Sequence, residues 1–268
     1  MKIRAGYEMS YVYPQPTPMI LVLRVHPSRE RDLVTPDHPQ FDPQLALSEY
    51  YDSFGNQCGR IKAPGGELTM SAEFVVNDSG EPDVVAPDAE QHALENLPPE
   101  VLVYLLGSRY CETDELLGTA WMLFGGVPKG WPLVQTICDH VHEHLAFGYQ
   151  HARPTRTAFE AYTERRGVCR DFAHLAITLC RCMNIPARYC TGYLGDIGVP
   201  ALDEPMDFSA WFEVYLGRRW YTFDARHNTP RIGRILMARG RDATDVALVT
   251  SFGPCTLKSF RVVTEEIV

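Results

Sequence analysis

Basic residues are scarce in this sequence. Its 268 residues include 25 lysines and arginines against 34 aspartates and glutamates, which gives a formal net charge of −9 with the histidines neutral. A protein that binds nucleic acid needs basic patches to neutralise phosphates, and an anionic membrane surface attracts the same cationic groups. The composition therefore argues against both kinds of partner.

Long apolar runs are also missing. No stretch reaches the roughly 18 uncharged apolar residues of a membrane-spanning helix, and Met1 to Glu8 contain no apolar core of a secretory signal. The hydrophobic fraction of 45% and the charged fraction of 22% are those of an ordinary globular chain. We therefore expect a cytoplasmic protein.

The eight cysteines lack the spacing of a redox or metal site. No Cys-x-x-Cys stands at a helix start, which makes a thiol redox protein the weakest hypothesis. Cys180 and Cys182 are two residues apart and thus about 200° apart around a helix, so they cannot chelate one ion together. We expect free thiols, no metal and no organic cofactor.

The first 90 residues have the pattern of an antiparallel β structure. Short runs of β-forming residues, such as Met19 to Val25 and Leu68 to Val76, are separated by turn signals, such as Asn77 to Gly80. Pro82 to Pro99 follows as a proline-rich, acidic linker. This spacing predicts a sandwich-like domain.

Helical periodicity begins near residue 100. An apolar stripe predicts an amphipathic helix over 131–146. Thr157 and Glu160 form a capping box that starts a short helix, which Gly167 would end as a C-cap residue. The segment from Cys169 to Met183 is the most apolar helical stretch and is expected to pack against a sheet.

Strands dominate after this helix. Gly217 and Arg218 form a two-residue turn between two alternating segments. The order of helices followed by strands predicts an α+β fold. The expected strands are Ala187–Leu194, Asp207–Leu216, Arg219–Asp224 and Phe260–Val263.

Cys169 is a candidate nucleophile because it begins the apolar helix. The positive end of the helix dipole favours a thiolate there, and we expect the pKa of this thiol to be the lowest of the eight. A buried structural cysteine is the alternative interpretation. In the hairpin, Leu216 should face Arg219, which makes Ser209 and Asp224 diagonal neighbours on one face. A base and its orienting carboxylate would occupy such positions in a Cys–His–Asp arrangement.

Four separated motifs, in this order, resemble those of the bacterial transglutaminase-like superfamily, whose members are described as cysteine proteases. The resemblance spans roughly residues 130–230. It implies a papain-like or transglutaminase-like core, with the nucleophile's helix packed on an antiparallel sheet after an N-terminal β-sandwich-like domain. We accordingly expect a β-rich domain over 1–95, dispensable for the folding of the rest, and a cysteine peptidase domain over 96–268. The motifs are Arg166 to Leu175, Asn184 to Tyr189, Ser209 to Tyr215 and Trp220 to Asp224.

The resemblance also assigns roles to individual residues. The family nucleophile falls on Cys169 and the acidic member on Asp224, whereas Ser209 occupies the position of the catalytic histidine. A serine has no basic lone pair near neutral pH and cannot take the proton of the thiol. We rank His227 first and His151 second as substitute bases.

Two other residues of the central helix are less suited to catalysis. His174 lies about 140° around the helix from Cys169 and therefore points elsewhere. Asp171, in the first turn, fits a structural role beside the helix dipole as well as it fits a catalytic one.

Two hypotheses follow from these residues. In the first, Cys169 attacks an amide of a peptide or protein, forms a thioester, and passes the acyl group to water or to an amine. In the second, the protein is a catalytically silent binding module that keeps the cleft, and Ser209 is the feature that favours it. Neither hypothesis requires a cofactor, and the sequence does not specify an oligomeric state.

Overall fold

The computed structural model describes residues 1–200 and 206–267. Three four-stranded antiparallel sheets and a short parallel pair of strands make up the β structure. The strands are β1 (Lys2–Tyr13), β2 (Thr17–Leu21), β3 (Gln40–Asp42), β4 (Ser48–Tyr51), β5 (Gln57–Ala63), β6 (Gly66–Asn77), β7 (Ala146–Phe147), β8 (Arg166–Gly167), β9 (Ala187–Tyr193), β10 (Ser209–Leu216), β11 (Arg219–Phe223), β12 (Ile235–Gly240), β13 (Val249–Ser251) and β14 (Thr256–Ile267).

Five α-helices lie between β6 and β9, and the last three of them correspond to the helices that the sequence predicts. The two helices with the clearest apolar stripes agree with the prediction to within two residues at either end. No helix of the described residues is long and apolar enough to cross a membrane. The helices are α1 (Pro99–Leu102), α2 (Thr113–Phe124), α3 (Trp131–His144), α4 (Ala158–Glu164) and α5 (Cys169–Cys182).

The predicted α+β architecture with a β-rich N-terminal part is confirmed. One sheet has the order β14-β1-β6-β3 and a second the order β13-β2-β5-β4. Their apolar side chains share one core, in which alternate residues of β6, such as Met70 and Phe74, are buried. Side chains of the following part, including Tyr193 and Met237, enter the same core.

The second core surrounds α5. Every residue of α5 from Asp171 to Cys182 is buried, because the helix packs on β9 and β10 on one side and on α2, α3 and α4 on the other. The sheet that supports it has the order β11-β10-β9-β12. This packing holds the start of α5, and with it Cys169, at a fixed place beside β10.

The end of α4 differs from the prediction. The left-handed residue that ends this helix is Arg165, with φ 55°, whereas Gly167 belongs to β8. Gly167 is needed for another reason, since a Cβ atom built there would lie 2.5 Å from the Cβ of Asp171. The glycine therefore provides room for an aspartate of α5 rather than a helix cap.

The chain termini lie in one sheet. The predicted strand at Phe260–Val263 is the middle of the longer β14, which pairs antiparallel with β1 from Lys2↔Ile267 to Val12↔Thr256. Strand β13 likewise pairs with β2. Residues 249–267 thus complete the sheets that residues 1–95 begin, and the division at residue 95 stays a prediction about independent folding.

Candidate active site

Asp171 holds the N-terminus of α5. Its Oδ2 accepts hydrogen bonds from the Val168 backbone N–H and from Arg156 Nη1, each at 2.9 Å. The contact with Arg156 is also an ion pair. Both side chains are almost completely buried, at 4% exposure for Arg156 and 0% for Asp171. These contacts cap the helix and fix its first turn, so the structure gives Asp171 a structural role.

Cys169 is the first residue of α5 and is partly buried. Burial raises the pKa of its thiol to about 11, the Arg226 guanidinium lowers the pKa, and Asp207 raises it further. Desolvation of the thiolate thus opposes the depression of this pKa that the helix dipole favours. At neutral pH the resting side chain is a thiol and needs a base before it can attack.

The thiol pKa does not distinguish Cys169 from two other buried cysteines. Burial also raises the pKa values of Cys58 and Cys111 to about 11. All eight cysteines belong to the described part of the chain and none forms a disulfide. Cys169 differs from these two because it lines a large cavity.

This cavity, which we call the Cys169 cavity, has a volume of about 730 Å³ and lies between the two cores. Cys169 and Ser209 both line it, as do β1 and β14 of the N-terminal sheet. The volume lies within the range of ordinary small-molecule and peptide sites. The structure thus places the predicted nucleophile where a substrate could reach it.

The hairpin has the predicted register. Leu216 pairs with Arg219, and the same register continues to Phe212↔Phe223. Ser209 is buried at the start of β10, where its carbonyl oxygen accepts a hydrogen bond from Thr191 Oγ1 at 3.1 Å. Ser209, which the resemblance aligns with the catalytic histidine of the family, therefore lies in the wall of the Cys169 cavity.

Asp224 is a buried carboxylate with several hydrogen-bond donors. The backbone N–H groups of Arg226 and His227 donate to its Oδ1 at 3.0 and 3.1 Å. His227 Nδ1 and Arg234 Nη2 lie 2.8 and 3.0 Å from its Oδ2. Burial alone would raise the pKa of Asp224, but Arg234 and His227 lower it well below its ordinary value, so this group is ionised at neutral pH.

His227 contacts Asp224 because β11 ends at Phe223. The chain then turns, and the Asn228 N–H donates to the Asp224 carbonyl oxygen at 2.8 Å. In a continued strand the imidazole would face away from the carboxylate. The Nδ1 contact is that of an orienting carboxylate with a base, and it leaves Nε2 for another partner.

The predicted site residues form two pairs, Cys169 with Ser209 and Asp224 with His227, that are linked by electrostatics. Cys169 and Ser209 line the Cys169 cavity, whereas among residues 1–200 and 206–267 its lining does not include Asp224 or His227. Asp224 nevertheless acts on the thiol electrostatically, raising its pKa. Arg226, which lies between Asp224 and His227 in the sequence, stacks over Phe147 at 3.8 Å and lowers the pKa of the Cys169 thiol.

His174 and His151, the other histidines near the predicted nucleophile in the sequence, do not share the surroundings of His227. His174 is fully buried, its Nε2 accepts a hydrogen bond from the Ala243 N–H at 3.1 Å, and burial lowers its pKa to about 3. His151 lies in a 3-10 turn, where its carbonyl oxygen accepts from Arg156 Nη1 at 2.6 Å. His174 is thus a core residue, as its position on the helix predicts.

Asp224 belongs to a chain of charged residues that the sequence did not predict. Arg234 is 8% exposed and joins Asp224 to Asp83 of the linker, with Nε 2.9 Å from Asp83 Oδ2. Asp83 Oδ2 also accepts the Arg231 N–H at 2.9 Å. No local pattern links Asp83 to Arg231 or Arg234, since it is more than 140 positions away from both. The predicted register, continued past Phe223, would place Arg226 opposite Ser209, but the observed pairing of the two strands ends at Phe212↔Phe223.

Metal ligands are not grouped in the described part of the chain. Within residues 1–200 and 206–267, no three His, Cys, Asp or Glu side chains are arranged to hold an ion.

Comparison with known proteins places these features in a family. The model of the Transglutaminase-like superfamily matches residues 125–225, which include Cys169, Ser209 and Asp224. Uncharacterized protein ML0607 of Mycobacterium leprae is 34% identical over 274 residues, covering 92% of this chain and 91% of that protein. Uncharacterized protein Rv2569c of Mycobacterium tuberculosis is 31% identical over 127 residues, covering 43% of this chain and 40% of that protein.

A solved structure has the same fold over almost the whole chain. The Cytophaga hutchinsonii protein named "Putative Cysteine Protease" superposes with a TM-score of 0.85 and 29% identity, covering 99% of this chain and 90% of that one. The N-terminal sheets are therefore part of the shared structure as well as the α5 core. The chain belongs to the transglutaminase-like superfamily.

Proposed function

We propose that this protein is a cysteine hydrolase of amide bonds in peptides or proteins, with Cys169 as its nucleophile. The observation that carries the proposal is the position of Cys169, at the N-terminus of the buried helix α5 and in the wall of a cavity of about 730 Å³. A cysteine at a helix start can use backbone N–H groups to stabilise an oxyanion.

In the proposed reaction, the Cys169 sulfur adds to the carbonyl carbon of the amide, and the carbonyl oxygen becomes an oxyanion. The C–N bond then breaks, and the amine leaves with a proton while a thioester remains on Cys169. Water attacks the thioester, releases the acid and restores the thiol. An amine in place of water would give acyl transfer through the same intermediate.

The proton of Cys169 requires an acceptor because burial raises the pKa of the thiol to about 11. We propose His227 for this role, supported by the 2.8 Å contact of its Nδ1 with Asp224. Asp224 would hold the imidazole in one tautomer and stabilise the imidazolium. Arg226 would stabilise the thiolate by its charge, since it already lowers the pKa of the thiol.

A panel of peptide amides tests this function. We expect wild-type protein to hydrolyse some of them, Cys169→Ala to be inactive, and His227→Gln to lose about 10²–10⁴-fold in turnover. Cys255→Ala, which removes an exposed cysteine, is the matched control and should keep wild-type turnover. Full activity of Cys169→Ala would contradict the proposal.

The second candidate function is a binding module without turnover. The observation that favours it is Ser209, which occupies the family histidine position and lines the Cys169 cavity. Such a protein would bind peptides in the cavity but hydrolyse none. Its Cys169 would react with iodoacetamide no faster than the buried Cys111.

We further propose a cytoplasmic location. Eight unpaired cysteines suit a reducing compartment.

A further inference from the structure

Part of the wall of the Cys169 cavity is apolar and comes from the sheet that contains β1 and β14. Tyr11 of β1 and Leu257 and Phe260 of β14 line it. Leu257 is 51% exposed and Phe260 is 40% exposed, although both are large apolar side chains. Phe260 is also in contact with Phe208, at a ring-centroid distance of 5.8 Å, so it has a defined place.

A β-bulge turns Leu257 and Phe260 toward the same side. Tyr11 pairs with Leu257 and Met9 pairs with Phe260, so two residues that are two apart on β1 face two residues that are three apart on β14. The extra residue is Lys258, whose Nζ forms an ion pair with Glu67. Without the bulge, residues three apart on a strand would point to opposite faces.

Among the described residues, three charged side chains line the cavity, and each has contacts within the protein; Asp207 accepts a hydrogen bond from the Phe208 N–H at 2.7 Å. Arg153 Nη2 lies 2.9 Å from both Glu160 and Glu164. Arg170 donates to the Pro154 carbonyl oxygen at 2.9 Å and contacts Asp171 at 3.3 Å. A charged substrate side chain would therefore compete with these ion pairs and this hydrogen bond, whereas an apolar one would cover exposed apolar surface.

We infer that Tyr11, Leu257 and Phe260 form a subsite for a bulky, uncharged apolar side chain of the peptide substrate. This inference rests on the proposed function, because it assigns the substrate class of the cavity that contains Cys169. The N-terminal sheet and the C-terminal strand thereby take part in substrate selection, outside the segment 125–225 that the family model matches.

The test measures binding and needs no turnover. Cys169→Ala protein is titrated by calorimetry with acetylated and amidated peptides that differ at one position, which is phenylalanine, alanine, glutamate or lysine. Covering an aromatic side chain predicts that the phenylalanine peptide binds about tenfold more tightly than the alanine peptide. The glutamate and lysine peptides should bind no better than the alanine peptide.

Variants of the subsite residues test whether the preference for the phenylalanine peptide arises at the subsite. Phe260→Ser and, as a second exposed position, Leu257→Ser should each lower the ratio of phenylalanine to alanine affinity toward one. Tyr51→Ser removes an aromatic residue that is 63% exposed elsewhere and should keep the full ratio. Equal affinity for all four peptides, or an unchanged ratio in both subsite variants, would overturn the inference. Selective binding together with a wild-type protein that hydrolyses nothing would leave the subsite standing and reject the proposed hydrolysis.

Discussion

At the scale of single residues, Ser209 is the departure from the family pattern with the clearest consequence. A hydroxyl cannot accept the thiol proton, so we expect Ser209→Ala to lower amide turnover far less than Cys169→Ala. Because Ser209 and Cys169 line one cavity, a histidine at position 209 would lie within the site. We expect Ser209→His to raise turnover, by up to about 10²–10⁴-fold.

Steady-state rates of the three variants on one peptide substrate check this expectation. If Ser209→Ala is as inactive as Cys169→Ala while the wild type is active, the serine itself takes part in the reaction. An inactive Ser209→His with intact peptide binding would reject the proposed geometry at this position.

A second prediction at the residue scale concerns Arg234 and the dependence of protein stability on pH. Asp224 has a folded-state pKa below its unfolded value of about 3.9, so its contribution to stability is present above that value and is lost as the pH falls. Arg234→Gln would leave a buried carboxylate without its cation, and we expect the free energy of unfolding at pH 7 to fall by about 3–5 kcal/mol.

The difference in the free energy of unfolding between wild type and Arg234→Gln should shrink as the pH falls below about 4, because protonation neutralises Asp224 in the variant. Urea unfolding of both proteins at several pH values measures it. Arg60→Gln, at an exposed arginine of β5, is the control and should change little. A difference that is constant with pH would show that Arg234 stabilises the fold without acting on Asp224.

At the scale of secondary-structure elements, α5 depends on Asp171. Asp171→Ala removes the hydrogen bond to the Val168 N–H and leaves the buried Arg156 without this partner. We expect a loss of about 3–5 kcal/mol in the free energy of unfolding. Asp114→Ala, in the exposed first turn of α2, is the matched control and should cost less than about 1 kcal/mol.

Chemical denaturation of the two variants decides the role of Asp171. Equal stability of both would reject the structural role and return Asp171 to the candidates for catalysis.

The elements with local signals could be predicted from the sequence. Helices α3 and α5 have apolar stripes, and the β10–β11 hairpin has alternation and a two-residue turn, so their ranges and register agree with the prediction. Helix α2 could not be found in this way, because apolar residues such as Trp121 and Met122 remain exposed on its surface and blur the stripe.

The residues of the candidate site could be predicted from the sequence, but the contacts that these residues make could not. Four motifs indicate Cys169, Ser209 and Asp224, whereas the turn after Phe223 that brings His227 to Asp224 has no strong local signal. Contacts between distant segments, such as Asp83 with Arg234, depend on the tertiary fold. The pKa of the Cys169 thiol also depends on burial, which a helix position alone does not reveal.

At the scale of the whole molecule, the pairing of β1 with β14 leads us to propose that residues 1–95 are needed for the rest to fold, whereas the sequence predicts that they are dispensable. Removal of these residues would expose the edge of β14 and apolar core side chains such as Tyr193 and Ile235. We expect a chain of residues 96–268 to be insoluble or to lack a cooperative unfolding transition. A soluble, cooperatively unfolding product, followed by circular dichroism, would instead support two independent domains.

The central claim is that Cys169 is the nucleophile of an amide hydrolase. The most direct measurement exposes the native protein to a peptide with an electrophilic amide mimic and identifies the modified residue by mass spectrometry. We predict one adduct, on Cys169, that is absent in Cys169→Ala and unchanged in Cys255→Ala. Modification of Cys255 or Cys111 at the same rate as Cys169, or no adduct on Cys169 while a substrate is being hydrolysed, would contradict the account.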